Sequence, residues 1–503
     1  MANPDFDVLI VGAGLSGIGA AYYLQERCPG KTYAILEGRK AIGGTWDLFR
    51  YPGIRSDSDM HTLGYDFKPW KDRKAIADGP SILNYVRETA AENGIDRRIK
   101  FEHLVREARW DSDAALWSLK VEDKAAGAER TLTCRILHMC AGYYSYEGGY
   151  KPDFPGEASF KGQVIHPQAW PEDLDYSDKK VVVIGSGATA VTLVPEMAKK
   201  AAHVTMLQRS PTYIVSRPAE DKFALGLRKV LPEKAAYGLT RWKNTLLQML
   251  FFRLARKRPE RVKERIVGMA QEELGPDFDV ETHFTPSYNP WDQRLCLVPD
   301  GDLFKSIKNG EASVVTDNIE TFTESGIKLA SGEVLDADIV VSATGLQLEF
   351  MGGADVFVDG KPVEPSSLHG YRGIMFNNIP NLVVTFGYTN ASWTLKADLI
   401  AKFVSRLIRH MDRTGAVEVR PIADQHPGDA PWLDFSSGYV TRALHRLPKQ
   451  GQEAPWRLNQ NYVQDIFEIG RARLDDGILR YRKPGDAAFK TPMEVAPQPL
   501  AAE

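Results

Sequence analysis

Short apolar runs that stop at glycine set the pattern of this chain. Val8-Leu9-Ile10-Val11 enters Gly12-Ala13-Gly14-Leu15-Ser16-Gly17, and Val181-Val182-Val183-Ile184 enters Gly185-Ser186-Gly187-Ala188-Thr189-Ala190. Unbroken runs of this length, bounded by turn residues, predict strands buried on both faces. A helix is predicted from Ile18 to Leu24. Second strands follow at Tyr33-Ala34-Ile35-Leu36 and at His203-Val204-Thr205-Met206-Leu207-Gln208. Two later runs, 135–140 and 337–342, end in Ala141-Gly142 and in Ala343-Thr344-Gly345. These matched endings predict the points where the chain crosses between two strand–helix–strand units. From Phe223 to Gly275 the period changes to helical.

The glycines in each turn have steric reasons. Gly12 allows a tight turn, Gly14 lets backbone approach a pyrophosphate, and Gly17 lets helix and strand pack closely. The helix N-terminus then offers free N–H groups to an anion. In the second turn Gly185 and Gly187 take the same places, and Ala190 replaces the third glycine. Glu37 ends the second strand of the first unit, where a carboxylate can accept from both ribose hydroxyls and repel a 2′-phosphate. That favours FAD. The second unit has Arg209-Ser210 at the matching place. A guanidinium and a hydroxyl suit a 2′-phosphate, which favours NADPH. The predicted class is α/β: two nested Rossmann-like dinucleotide-binding domains, for FAD and NADPH, with a helical insertion.

The boundaries that follow are 1–150 for the first part of the FAD domain and 151–220 for the first part of the NADPH domain. The helical insertion covers 221–285, the second NADPH part 286–378, and the second FAD part 379–490. A Pro/Ala-rich flexible tail covers 491–503. The return to the FAD domain is set at Pro380-Asn381. A helix starting near Thr394 would point its N-terminus at the flavin's pyrimidine edge.

Composition narrows the class. At 503 residues the chain exceeds one core, and a formal net charge of -3 gives no reason to expect nucleic acid. Cys28, Cys134, Cys140 and Cys296 form no C-x-x-C or zinc spacing, so neither disulfide nor metal is expected. The apolar start lacks a basic flank and reads as a first strand, not a signal peptide. No apolar run is long enough to span a bilayer, so a cytoplasmic protein is expected. One stretch, 241–258, is both basic and amphipathic, and it has two readings. It can rest on a membrane as a peripheral contact. It can also pack its apolar face on the NADPH domain, the commoner fate of such a stripe. Nothing sets the oligomeric state.

Just ahead of the second turn lies Phe160-Lys161-Gly162-Gln163-Val164-Ile165-His166-Pro167-Gln168-Ala169-Trp170-Pro171. Its spacing, F-x-G-x3-H-x3-W-P, resembles the signature of the flavin-dependent Baeyer–Villiger monooxygenases. Within that family the chain is most similar to the ethionamide-activating group. The stretches 43–60, 288–299 and 447–451 with 455–462 carry that closer likeness. They include Gly43-Gly44-Thr45-Trp46-Asp47, Asn289-Pro290-Trp291-Asp292-Gln293-Arg294 and Leu447-Pro448-Lys449-Gln450-Gly451.

The resemblance implies an NADPH- and O2-dependent monooxygenase in which reduced FAD forms a C4a-peroxide. The anionic peroxide attacks a ketone, and the adduct rearranges to an ester. The same intermediate oxidises sulfides and thioamides. Such a site needs a permanent cation, and arginine supplies one. By resemblance that is Arg294, oriented by Asp57 beside the flavin. Ser16, Gly44, Thr45, Trp46 and the backbone of Val105 would contact FAD. Arg55, Ser56 and Thr189 would face NADPH, and Tyr288 and Trp291 would either line the substrate pocket or, as often, pack beside it. Phe160, Gly162, His166 and Trp170 are assigned to coupling domain motion to the cycle, with the aromatic ends anchored one in each domain. Direct acid–base work by His166 is the lesser reading.

Three rivals share parts of this pattern. A flavin disulfide reductase needs a close cysteine pair at the flavin. A flavin-containing monooxygenase limited to S- and N-oxygenation would lack the arginine. A non-catalytic redox-sensing module would not need intact turns together with Arg294.

Overall fold

The computed structural model describes residues 3–293 and 295–489. Arg294 and the expected tail therefore lie outside the described residues. The apolar runs form strands where expected. Phe6–Val11 pairs in parallel with Tyr33–Leu36 on one side and Ala128–Met139 on the other. Val8 and Ile10 enter one core while Leu9 and Val11 enter another, on the opposite face of the sheet. That double burial is why the strand reads as continuous apolar sequence. An antiparallel meander, His103–Asp111, Leu116–Asp123 and Ala128–Met139, widens the sheet. Leu382–Val384 pairs with Ala128–Met139 from the far end of the chain. Helices Leu15–Arg27 and Trp393–Thr414 pack together on one face.

The second unit is a parallel sheet in the order Ala312–Thr316, His203–Gln208, Lys180–Ile184, Ile339–Ser342, Gln163–Ile165. Val181 and Val183 face one core, Val182 and Ile184 the other. The crossings between units run side by side. Tyr144 bridges Leu348 antiparallel. Ser145 N–H donates to the Gln347 carbonyl at 2.9 Å, and Tyr150 N–H to that of Gly345 at 3.0 Å.

Two expectations are corrected. Strand Asp355–Val358 pairs in parallel with His103–Asp111, so the chain re-enters the first sheet before residue 355, not at 379. The paired crossings bring residues 345–349 beside 143–150 and deliver the chain there directly. The other correction concerns the helical segment, which forms Lys222–Leu227, Glu233–Lys257, Pro259–Leu274 and Val280–Phe284. Helix Pro259–Leu274 does pack on the second unit, through Ala270 and Leu274. The longer helix instead anchors on the first unit. Its Tyr237 joins that unit's core and donates from Oη to the Tyr65 carbonyl at 2.9 Å. No helix among the described residues is long and apolar enough to cross a membrane.

Candidate active site

The glycine turns meet at one cavity of about 1160 Å³. That is at or above the upper end of the roughly 300–1,000 Å³ usual for a single small-molecule site. In the first turn Gly12 has φ +103°, and a Cβ there would lie 2.6 Å from the Cys140 carbonyl oxygen. A Cβ on Gly17 would lie 1.9 Å from the Gly12 carbonyl oxygen. Gly185 repeats the arrangement, with φ +133° and a Cβ 2.5 Å from the Ala343 carbonyl oxygen. Each turn therefore abuts its own unit's strand-to-glycine ending. Helices Leu15–Arg27 and Ala188–Met197 begin at Gly14 and Gly187, and neither has a side-chain cap. Their first N–H groups are left for an anion. Gly187 has no atom within 4 Å of its missing Cβ, so backbone there can come close to a phosphate.

Glu37 is buried at the end of Tyr33–Leu36. Its carboxylate accepts from Ala13 N–H at 2.7 Å and from Arg39 N–H at 2.9 Å. Burial pushes this carboxyl above its ordinary range, and the two N–H donors oppose that shift. Each oxygen keeps a further lone pair for a ribose hydroxyl. Arg209 is exposed on the cavity wall at the end of His203–Gln208, with no ion pair among the described residues. Beside it Ser186 Oγ donates to the Ser210 carbonyl at 3.0 Å. This unengaged cation over a glycine turn suits a 2′-phosphate.

The cavity wall includes Gly12, Gly14, Ser16, Glu37, Gly44, Thr45, Trp46, Arg55, Ser56, Asp57 and Val105 from the first unit. From the second it includes Gly185, Ser186, Gly187, Thr189, Arg209 and Ser210. Gly17 and Ala190 are buried one step inside the helices. The Val105 side chain is in the core, which leaves its backbone toward the cavity. The segment 43–60 spans both units. Gly44 meets Gly14, whereas Phe49 and Tyr51 sit in the second unit's core. Arg55 is already engaged in an ion pair with Asp302. Gln293, Cys296 and Leu297, on either side of position 294, also line the cavity.

A model of the flavin-binding monooxygenase-like family matches residues 60–361, and one for an NAD(P)-binding Rossmann-like domain matches residues 10–73. The chain belongs to the flavin-binding monooxygenase-like family. It is an oxidoreductase with FAD and NADPH as cofactors. It is 54% identical over 481 residues to the FAD-containing monooxygenase EthA of Mycobacterium tuberculosis (strain ATCC 25618 / H37Rv), covering 95% of this chain and 98% of that protein. It is 50% identical over 483 residues to the probable FAD-binding monooxygenase AlmA of Acinetobacter baylyi (strain ATCC 33305 / BD413 / ADP1), covering 95% and 97%. Its fold matches an oxidized steroid monooxygenase bound to NADP with a TM-score of 0.75 at 21% identity, over 95% of this chain and 99% of that one. The open structure of cyclohexanone monooxygenase matches at 0.72 and 20%, over 83% and 90%.

Tyr288 and Trp291 of this monooxygenase take the packing alternative, while the segment 160–171 departs from expectation. Tyr288 and Trp291 are not on the described cavity wall. Trp291 packs edge-on against Phe252 of the long helix, and the Tyr288 carbonyl accepts from Tyr213 Oη at 2.5 Å. Both aromatic ends of 160–171 anchor in the second unit, Phe160 against Phe322 and Trp170 in the adjoining core. The reason is that Gln163–Ile165 is the edge strand of that unit's sheet. A Cβ on Gly162 would lie 2.3 Å from the Asp338 carbonyl oxygen, which keeps the strand close. His166 lies off the cavity. Its Nδ1 accepts from Gln168 N–H at 3.2 Å and its Nε2 is 3.3 Å from the Gly345 carbonyl. These contacts select the neutral Nε2–H tautomer, and burial lowers its pKa. Gln168 Nε2 donates to the Ser145 carbonyl at 2.8 Å. The contact with the crossing segments is thus made by His166 and Gln168.

One part of the site was missed. On the cavity wall Tyr143 stacks on Trp393, with centroids 5.2 Å apart, and Phe386 leans on both. Tyr388, Leu433, Phe435 and Tyr439 pack around this cluster and leave a gap of only about 20 Å³. Trp393 Nε1 donates to Ser16 Oγ at 2.7 Å, which ties the cluster to the first turn. Cys28, Cys134 and Cys140 are buried, and burial raises the Cys140 thiol to about 12. His369, His426 and Asp429 bring donor atoms within 4.8 Å of one another. There Lys449 Nζ already pairs with Asp429 at 3.1 Å, and His426 Nδ1 accepts from Gly428 N–H. Those contacts explain the cluster by hydrogen bonding.

Proposed function

We propose that this monooxygenase inserts one oxygen atom of O2 into ketones to give esters, with NADPH as electron donor and water as the second product. Sulfides and thioamides would be oxidised at the same site. The observation that supports the reading is the single cavity of about 1160 Å³ that both glycine turns share, with Tyr143, Trp393 and Tyr439 in its wall. Bound FAD would supply the oxygen-activating ring, held by Glu37 at the ribose and by the first turn at the pyrophosphate. Arg294, with Asp57 to orient it, would supply the cation where charge develops on oxygen. These aromatic side chains would help to exclude water from the shared cavity. The purified holoenzyme, given NADPH, air and an aryl or linear ketone, should release the ester, identified by mass. Sulfoxide from a sulfide but no ester from any ketone of a panel would leave only S- and N-oxygenation.

Arg209→Ala should raise the KM for NADPH while leaving that for NADH nearly unchanged. Losing one charge-assisted contact costs about 1.5–3 kcal/mol, or roughly ten- to a hundredfold. Steady-state kinetics with both coenzymes decides, and equal changes would remove Arg209 from the 2′-phosphate.

His166 would set the relative position of the units through Gly345 and the 145–150 crossing. His166→Ala should keep its FAD and slow flavin reduction severalfold in stopped flow. Unchanged reduction with only a pH-dependent step lost would make it an acid–base group instead.

A further inference from the structure

Helix Glu233–Lys257 shows its apolar side to solvent and buries an arginine. Arg241 Nη1 donates to the carbonyls of His61 at 2.9 Å and Gly64 at 2.7 Å, and Nη2 lies 3.3 Å from Asp398. Tyr237, Thr240 and Thr245 are buried on the same side. These polar anchors fix which face points outward. On that face Leu239, Trp242, Leu246, Leu247, Leu250 and Leu254 are each 42–53% exposed. The spacing, three or four residues apart along most of its length, makes one continuous stripe. Phe223 and Val230, in the segment just before, are exposed too. An exposed patch of this kind on an otherwise ordinary surface marks a docking site.

Charge selects the occupant. Arg253 and Lys257 fall on the same face, at the stripe's C-terminal end, followed by Arg258. They are exposed, and none has an ion pair among the described residues. The helix's only acid, Glu233, sits at its far end and pairs with Lys71. The chain as a whole carries a formal charge of -3, so this basic, apolar strip is a local feature. Leucines and a tryptophan with basic neighbours suit the headgroup–acyl boundary of an anionic bilayer, where the leucines enter and the cations meet lipid phosphates.

We propose that this face of helix Glu233–Lys257 docks the enzyme on an anionic lipid surface. The reading goes beyond the proposed reaction and does not depend on it. The full-length holoenzyme is mixed with sucrose-loaded vesicles and sedimented. It should pellet with phosphatidylcholine vesicles containing about one-third phosphatidylglycerol. Binding should fall about tenfold or more on pure phosphatidylcholine or in high salt. Leu246→Gln with Leu250→Gln should lose binding about tenfold or more while keeping FAD content and NADPH oxidation. Arg253→Glu with Lys257→Glu gives a second test that leaves the apolar face intact, and it should lose the preference for anionic vesicles. The proposal is overturned if wild-type enzyme stays in the supernatant with anionic vesicles, or if both double variants pellet as it does. A dimer that forms without lipid, fails to bind vesicles and dissociates on the leucine changes would make the occupant a second copy.

Discussion

Arg294→Ala is expected to bind FAD and oxidise NADPH at near wild-type rate, yet to lose about 10²–10³-fold of its ester product, the usual size for removing one preorganised charge-stabilising group. Hydride delivery needs the nicotinamide and flavin in contact, which on the proposed reading falls to the two turns and Arg209. Oxygen transfer needs more, because negative charge develops on oxygen as the carbonyl is attacked. A group that stays cationic at working pH stabilises that charge, and most strongly where water is excluded. The electrons should then leak to hydrogen peroxide, which a peroxidase-coupled assay counts against NADPH consumed. Arg294→Lys keeps a charge but loses the planar fork, and should recover part of the yield. Normal ester yield from the alanine variant would show that the cation lies elsewhere.

Glu418→Ala is expected to destabilise the fold by about 3–5 kcal/mol, the cost of leaving buried charges unpaired. Glu418 is fully buried. It accepts from Arg420 Nε at 2.6 Å and from Arg482 Nε at 2.6 Å. Arg482 also reaches the Ser112 carbonyl, which ties strand Leu479–Arg482 to the meander of the first sheet. Removing the carboxylate strands two guanidinium groups among carbonyls. The midpoint of chemical unfolding, followed by flavin fluorescence, should fall accordingly. Glu418→Gln should fall between, since it keeps an acceptor but not the charge. A shift below about 1 kcal/mol, the range of an exposed pair, would mean that water reaches the triad.

What could be read in the chain was what local chemistry dictates. The strands of both glycine turns are visible because burial on both faces makes them continuous apolar runs. Gly12, Gly17 and Gly185 are visible because a Cβ at each would strike backbone. Glu37 and Arg209 follow from their places at strand ends. The aromatic cluster was not legible, because Tyr143, Phe386, Trp393, Phe435 and Tyr439 come from distant segments and each alone reads as core. The outward face of helix Glu233–Lys257 was hidden for a related reason. An amphipathic period says that two faces differ, not which one is buried, and the carbonyls that hold Arg241 lie some 180 residues earlier. Strand Asp355–Val358 is short, and its partner is far up the chain, so the return to the first sheet carried no local mark.

The side-by-side crossings have a mechanical consequence. Two extended segments tied rung to rung behave as a strap hinge. They flex across their flat face and resist twisting or sliding past each other. Any rocking of one unit on the other would therefore be confined to a single axis, and would keep both glycine turns aimed at the common cavity. Because the chain goes out by one strap and back by the other, a cut between Gly148 and Gly149 would leave both halves fastened. The nicked enzyme should still run as one particle on gel filtration, and would separate only once the sheets themselves unfold.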